Sequence, residues 1–420
     1  MVNVAMKIIL LFVVLIAPVI TAADISQDWP EFRGATGQGI AENADPPLNW
    51  SQTENIAWKT NIPGGGWSSP VVYKGSVYLT TALVDKARKP SSLRVVGIDA
   101  KSGDILWNRE VFTPTDKYRK HDKNSHASPT VIARDGRIYA HFGHMGTACL
   151  DVDGTILWRQ SELVYDPYHG NGGSPTLFED KLIFSCDGAK DPFVVALSKT
   201  TGDVVWKVDR TGIRAKNTFS FCTPLMVNEN GRDVVVSPGS GVVCAYGPED
   251  GKEIWRVDYD QGFSVIPRPV YGHGMVFIAT GFSTSYIYAI RVGGKGDVTN
   301  TNVAWKTKSN VPKTPSLLLV GNELYYVSDN GTVSCVDAVT GEQHWQEKLG
   351  GKVAASPVFA KDRIYITTEE GKTFVVRAGT EFKVLAENEL GERTLASAAV
   401  CGAALFMRTE GGLYRIEESK

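Results

Sequence analysis

Apolar and polar residues alternate in short runs along most of the chain, and the runs end at Gly, Asn or Asp. SVYLT at 76–80, MVFIAT at 275–280 and ELYYVS at 323–328 are rich in Val, Ile, Tyr and Phe and predict short strands. The runs recur as a unit. It begins at Ser-Pro or a relative, passes through an apolar strand, turns at Gly or a charged pair, and continues in a second strand with aromatic residues. A third strand ends in a turn such as DAKSG, and a fourth carries a Trp.

Two series give the unit its period. The tryptophans are Trp58, Trp107, Trp158, Trp206, Trp255, Trp305 and Trp345, with Leu385 in the corresponding place of the next unit. The unit starts are Ser69, Ser128, Ser174, Thr223, Arg268, Thr314 and Ser356, each before Pro, and then Ser397-Ala398. Both series have eight members, roughly 40 to 60 residues apart, the period of four-stranded propeller blades. The phase adds a closure argument: Trp58 precedes the first Ser-Pro, while the last unit has no room for a fourth strand. The strand around Trp58 is therefore predicted to complete the last blade. The expected fold is all-β, an eight-bladed β-propeller of four-stranded blades closed by the N-terminal strand around Trp58.

Turn chemistry agrees with this reading. Gly103, Gly202, Gly251 and Gly341 stand where a hairpin needs positive φ, and Asp99 and Asp337 open such turns. The tryptophans read as packing residues covering the seams between blades. DVDG at 151–154 lacks the remaining ligand spacing of a calcium loop and reads as a hairpin turn.

Other features bound the class. The chain has 420 residues with a formal net charge of −2, which offers no phosphate-tracking surface and sets nucleic acid aside. Lys7, the apolar run 8–20 and Thr21-Ala22-Ala23 read as a signal peptide, residues 1–23, leaving residues 24–420 as a single propeller domain that is periplasmic or secreted. No cysteine follows the apolar run, so no lipid anchor is expected, and no second long apolar segment predicts a transmembrane span. Of the six cysteines, Cys149, Cys244 and Cys335 are expected at one equivalent place in three repeats, too far apart to bridge, as small core residues. Cys186, Cys222 and Cys401 show no pairing logic either. There is no GxSxG elbow, HExxH, CxxC or Walker loop, and GGKGD at 293–297 has the wrong spacing for a dinucleotide fingerprint.

The units GIDAKSGDILW, ALSKTTGDVVW and CVDAVTGEQHW resemble the repeat of PQQ-like β-propellers, the group that includes quinoprotein dehydrogenases and the BamB-type outer-membrane assembly lipoprotein. The opening DWPEFRGATGQGI, with NIAWKT and GWSSPVV after it, resembles exported single-domain BamB-like members. The quinoprotein side of the resemblance implies a quinone held by a vicinal disulfide, a calcium shell and a catalytic Asp. No two cysteines here are adjacent and no calcium-ligand motif maps, so no cofactor is predicted and PQQ is not expected. The BamB side implies a scaffold for protein partners, although the lipobox cysteine is lacking.

Five of the seven histidines fall on loops of one propeller face. His121, His126 and His169 precede inner strands, and His141 and His144 follow a second strand. Trp67, Lys216, Arg268, Lys313 and Arg393 precede inner strands too, with Asn124, Asn171 and Asn217 nearby. The candidate ligand site is therefore Trp67, His126, His144, His169, Lys216, Arg268, Lys313 and Arg393, with the three histidines expected as exposed loop side chains. An aromatic among cations suits a protein partner or a polar or anionic ligand such as a carbohydrate or peptide. The expected role is a binding or scaffold module with no catalytic residues assigned. The alternative is a metal- or quinone-dependent oxidoreductase on the same face, since imidazole is a common metal ligand.

Overall fold

The computed structural model describes residues 28–115, 119–213, 215–259 and 261–419. The signal-peptide segment lies outside them. The predicted strands form eight antiparallel four-stranded blades, two of which gain a short parallel fifth strand. Their inner strands, which number blades 1 to 8, are Val71–Tyr73, Ile132–Arg134, Thr176–Phe178, Leu225–Glu229, Val270–Gly272, Leu318–Val320, Val358–Ala360 and Ala399–Cys401. In blade 8 the fourth strand is Ile56–Thr60, antiparallel to Leu413–Ile416, so the N-terminal part of the chain closes the ring.

Each blade packs on both faces, which puts the core in the seams. Second strands such as Met275–Ala279 are buried at every position, because one set of side chains meets the preceding blade and the other set the following one. Fourth strands are half exposed and bury mainly their Trp, as in Val204–Asp209.

The tryptophans lock the seams by a repeated contact. The indole N–H of Trp58, Trp107, Trp158, Trp206, Trp305 and Trp345 donates to a backbone carbonyl of the next blade's third-to-fourth-strand turn, at 2.9–3.2 Å. The turn glycine beneath is needed twice over. Gly202, for example, has φ of +80°, and a Cβ on it would lie 2.5 Å from the Trp158 ring. Blade 4 departs from this: Trp255 donates to the Glu229 carboxylate at 2.6 Å, and its flank is covered by a longer excursion in which Gly296–Asp297 pairs with the Trp255 strand before the short helix Thr299–Asn302.

Leu385 in blade 7 has a physical reason. Blade 8 takes its fourth strand from the N-terminal segment, so no continuous turn waits across the seam for an indole. In five blades the fourth-strand Trp lies 5.9–6.3 Å from an aromatic ring of the second strand. In blade 7 that ring is Tyr365, and Trp50 stacks on it at 6.2 Å. Trp50 is held there by Asn388, whose carboxamide bonds the Trp50 amide and the Leu48 carbonyl. A residue from outside the repeats thus replaces the missing seam Trp.

The structure corrects two registers. The residue two before each inner strand is Ser69, Thr130, Ser174, Thr223, Arg268, Ser316, Ser356 and Ser397, so Ser128-Pro129 and Thr314-Pro315 stand two residues early. The corrected set forms a girdle round the channel. The amides of Ser69, Thr130, Ser174, Arg268, Ser316 and Ser356 each donate to the next blade's Ser or Thr hydroxyl at 2.9–3.0 Å. Among the cysteines, Cys149 and Cys335 share a position opposite their Trp, but Ala245 occupies it in blade 4. Cys244 is one residue earlier and faces the opposite seam. All six cysteines are free.

Residues 29–41 cross one end of the channel and plug it. Trp29 and Val72 exchange backbone hydrogen bonds, the Pro30 carbonyl accepts from Ala133, and Ile40–Ala41 adds a parallel strand beside Val358–Ala360. Arg33 donates to the carbonyls of Gln38, Leu317 and Pro357. Gly37, at φ +68°, leaves room for the Arg268 guanidinium, 2.5 Å from where a Cβ would sit.

Two outcomes test this architecture. Trp50→Ala should destabilise by about 3–5 kcal/mol, as loss of a buried seam Trp does; a loss below about 1 kcal/mol in denaturant unfolding would show that Trp50 does not fill the blade 7 position. A chain beginning after Thr60 should expose the Leu413–Ile416 edge and aggregate. Its staying monomeric in sedimentation with the parent melting temperature would contradict closure by that strand.

Candidate functional site

With one end plugged, the channel opens only at the other, where the loops entering the inner strands converge. They form a funnel of about 280 Å³ lined from every blade, from Trp67 in blade 1 through His121 and Asn124, His169, Phe221, Phe263 and Phe282, Thr314 and Ala354 to Leu395 in blade 8. Below it a narrower space of about 110 Å³ runs past the hydroxyl girdle to Phe32 of the plug.

The funnel wall is aromatic on the side of blades 3 to 5. Tyr168 stacks on Phe219 at 4.7 Å, and His169 and Phe263 meet the same ring edge-on at 5.3 and 5.6 Å. Cations stand over the rim aromatics: Lys313 lies 5.4 Å from the Phe282 ring and Arg393 5.6 Å from Trp67. Lys123 pairs with the buried Glu369 at 2.6 Å.

The structure brings together part of the predicted set. Trp67 and His169 line the funnel, and Lys313 and Arg393 stand at its rim. Lys216 is exposed on the loop before blade 4 and is not among the lining residues. His144 lies outside the funnel, its Nδ1 against the Asn171 carboxamide and its ring edge-on to Tyr165. His126 is 6% exposed, so the expectation of a loop side chain in solvent is corrected; it faces a side cavity between blades 8 and 1. Arg268 is corrected as well. Its position before an inner strand is right, but its side chain turns to the plugged end, is 1% exposed, and pairs with Glu31 at 3.0 Å while donating to the carbonyls of Phe32 and Pro224. Burial pushes the Glu31 carboxyl up, with the Arg268 guanidinium opposing.

His121, Lys123, Phe221, Phe263 and Phe282 also line the funnel and stand outside the predicted set. For the phenylalanines the signal is an aromatic beside Ser in the loops, in FSF at 219–221, GFS at 262–264 and GFS at 281–283. These aromatics break the strand alternation, which is why a search for alternating runs passes over them.

The histidines do not gather into a metal centre: among the described residues no three His, Cys, Asp or Glu side chains form a ligand group. Burial instead favours the neutral form of His126, His141, His144 and His169. His141 is fully buried, bonded through Nδ1 to Thr147 and packed on Phe184, and burial followed by repulsion from His144 lowers its pKa to about 3. Burial, Lys120 and His144 take His126 down to about 4. In the unfolded chain each would titrate near 6.5, so between that pH and the folded values the unfolded state binds more protons and stability falls with acidification. Denaturant unfolding should therefore show stability intact above about pH 6.5 and lost progressively towards pH 4, with a shallower loss in His141→Gln. An equal pH slope in the variant would contradict the buried neutral imidazole.

Comparison with known proteins gives the family. A family model described as outer membrane protein assembly factor BamB matches residues 43–160, 144–281 and 291–412. A quinohemoprotein alcohol dehydrogenase, ADH-IIG, of Pseudomonas putida is 24% identical over 74% of this chain and 37% of its own length. The outer membrane protein assembly factor BamB of Legionella pneumophila is 21% identical over 46% of this chain and 49% of its own. The chain thus spans half or less of the length of these curated relatives. Among solved structures, BamB from Moraxella catarrhalis superposes with a TM-score of 0.54 at 16% identity, covering 87% of this chain and 98% of that one. A europium-containing methanol dehydrogenase superposes at 0.64 and 13% identity, covering 90% and 88%, and both likenesses concern the fold. Matched over most of its length by three successive repeats of that model, the chain belongs to the family of the outer membrane protein assembly factor BamB.

Proposed function

We propose that the protein is an exported binding module, periplasmic or secreted, that holds a segment of a protein partner in its funnel. The observation that carries this reading is the polarity of the channel: residues 29–41 close one end, and the other opens into an aromatic funnel built by all eight blades. A space of about 280 Å³ stands at the lower end of the roughly 300–1,000 Å³ of small-molecule pockets and is ample for one or two side chains. Aromatic walls favour an apolar anchor, and the rim cations Lys313 and Arg393 favour a carboxylate beside it. The assembly-factor relatives support a protein over a carbohydrate as the occupant.

The quinoprotein relatives raise a quinone as the other occupant, and the lining residues do not fit one. The cysteines stand singly, within blades or, for Cys222, just before an inner strand; the funnel lining supplies no carboxylate; and Glu369 at the rim is engaged by Lys123. Calorimetry with PQQ and calcium should therefore give no stoichiometric heat, whereas micromolar one-to-one binding would move the protein to the oxidoreductase class.

A photo-crosslinking amino acid at Phe282 should trap a polypeptide adduct in cells of the source organism. The same probe at Asn230, in a turn on the opposite face, should not. Phe263→Ala should weaken the trapped interaction by roughly tenfold or more, as truncating an aromatic anchor does. Equal adducts from both faces, or an adduct indifferent to Phe263→Ala, would contradict the reading.

A further inference from the structure

A second cavity, of about 250 Å³, lies beside the funnel between blades 8 and 1, and at its wall stands a buried arginine without a counter-ion. Arg408 ends the strand Ala404–Arg408 and is 2% exposed. The strand registers place it with Thr80, His141, Ser185, Pro238, Ala279, Val327 and Thr367 of the other blades, where no charged side chain occurs. A cation at this position in one blade alone is not required by the repeat.

Its partners do not balance its charge. Nη1 donates to the Ser68 hydroxyl at 2.7 Å and to the carbonyls of Thr80 and Ser68 at 2.8 and 3.4 Å, all neutral acceptors. Among the described residues Nε and Nη2 meet no protein acceptor. Arg210, Arg268 and Arg363 each have a carboxylate, Asp187 at 2.7 Å, Glu31 at 3.0 Å and Asp45, whereas Arg33 resembles Arg408 in meeting only neutral acceptors, three carbonyls, but does so inside the plug. A desolvated guanidinium lacking an anion is unfavourable, because the protein interior returns less than the hydration it removes. Burial alone draws Arg408 down to about 9, with no carboxylate near enough to oppose it.

The other charged side chains of the cavity wall balance one another, so its net positive charge is that of Arg408. Lys120 and Arg393 line it together with His126, Asn124 and Ser125, while the acids Asp122 and Glu410 also line it and are exposed. Gly66 lies where a Cβ would come within 2.7 Å of Arg408 Nη2, so the missing side chain keeps room beside the guanidinium.

We propose that this cavity is a binding site for a small oxyanion, a carboxylate or phosphate group, that pairs with Arg408. It stands independently of what the funnel holds. A carboxylate or phosphate matches the planar donor edge of a guanidinium, and the buried position makes such a charge-assisted bond strong.

The test is calorimetry and thermal melting of the full chain at low ionic strength with inorganic phosphate, with acetate, and with chloride at matched ionic strength. Phosphate or acetate should bind one to one and raise the melting temperature, and chloride should not; the arm that binds identifies the group. Arg408→Gln should weaken binding by about tenfold or more. If that variant does not fold, Arg393→Gln, at an exposed rim position, should fold normally and weaken binding by several-fold. Absence of binding by both anions to the wild type at millimolar concentration would overturn the site, as would binding undiminished in the folded variants.

Discussion

Everything in this molecule depends on the strand Ile56–Thr60 being paired with Leu413–Ile416. A ring of sheets has no independent core for each blade; each buries its two faces only against its neighbours, so an open ring would leave two apolar faces and a free edge. The same hydrophobic cluster runs through blades 7, 8 and 1, because the closing strand that completes the last sheet leads directly into the first. The hydroxyl girdle works at the channel wall and the Trp-on-glycine contacts at the rim. Both are contacts between blades, and both presuppose a closed circle.

Closure by the N-terminal part also fixes what the residues before it do. The chain must come from the channel axis to the outside of blade 8, and on the way it plugs one channel end, binds Arg268 through Glu31 and Phe32, and lays Trp50 on Tyr365. The polarity of the channel follows from this path. One mouth is filled by the chain itself, and the other is left to the aromatic and basic residues of the loops. The proposed functional face is thus set by the same segment that makes the fold possible.

The fold was legible because its determinants are local and repeated: period-two alternation, a turn glycine, and a Trp that must lie on it. The seam Trp series, the Leu385 exception and the closing strand all read correctly from spacing. Registers were less legible where a cue was displaced. Ser128-Pro129 and Thr314-Pro315 mimic the unit start but stand two residues early, and Thr130 and Ser316 carry the hydrogen bonds. For the site, strand position told which loops meet at a mouth, so Trp67, His169, Lys313 and Arg393 were placed. It could not tell where a long side chain points. Arg268 turns to the plugged end because a buried carboxylate waits there, and His126 turns away from solvent; both depend on residues distant in sequence. The funnel phenylalanines were hidden because they lie outside the alternating runs.

Native-state amide hydrogen exchange tests the closed and plugged ring most directly. The account predicts that those amides of Ile56–Thr60 that bond Leu413–Ile416, and those of Val72, Ala133 and Phe359 that bond the plug, exchange in the same slow class as the fully buried strand Met275–Ala279. Exchange of these amides at rates near those of the exposed turns, while the blade strands stay protected, would contradict it.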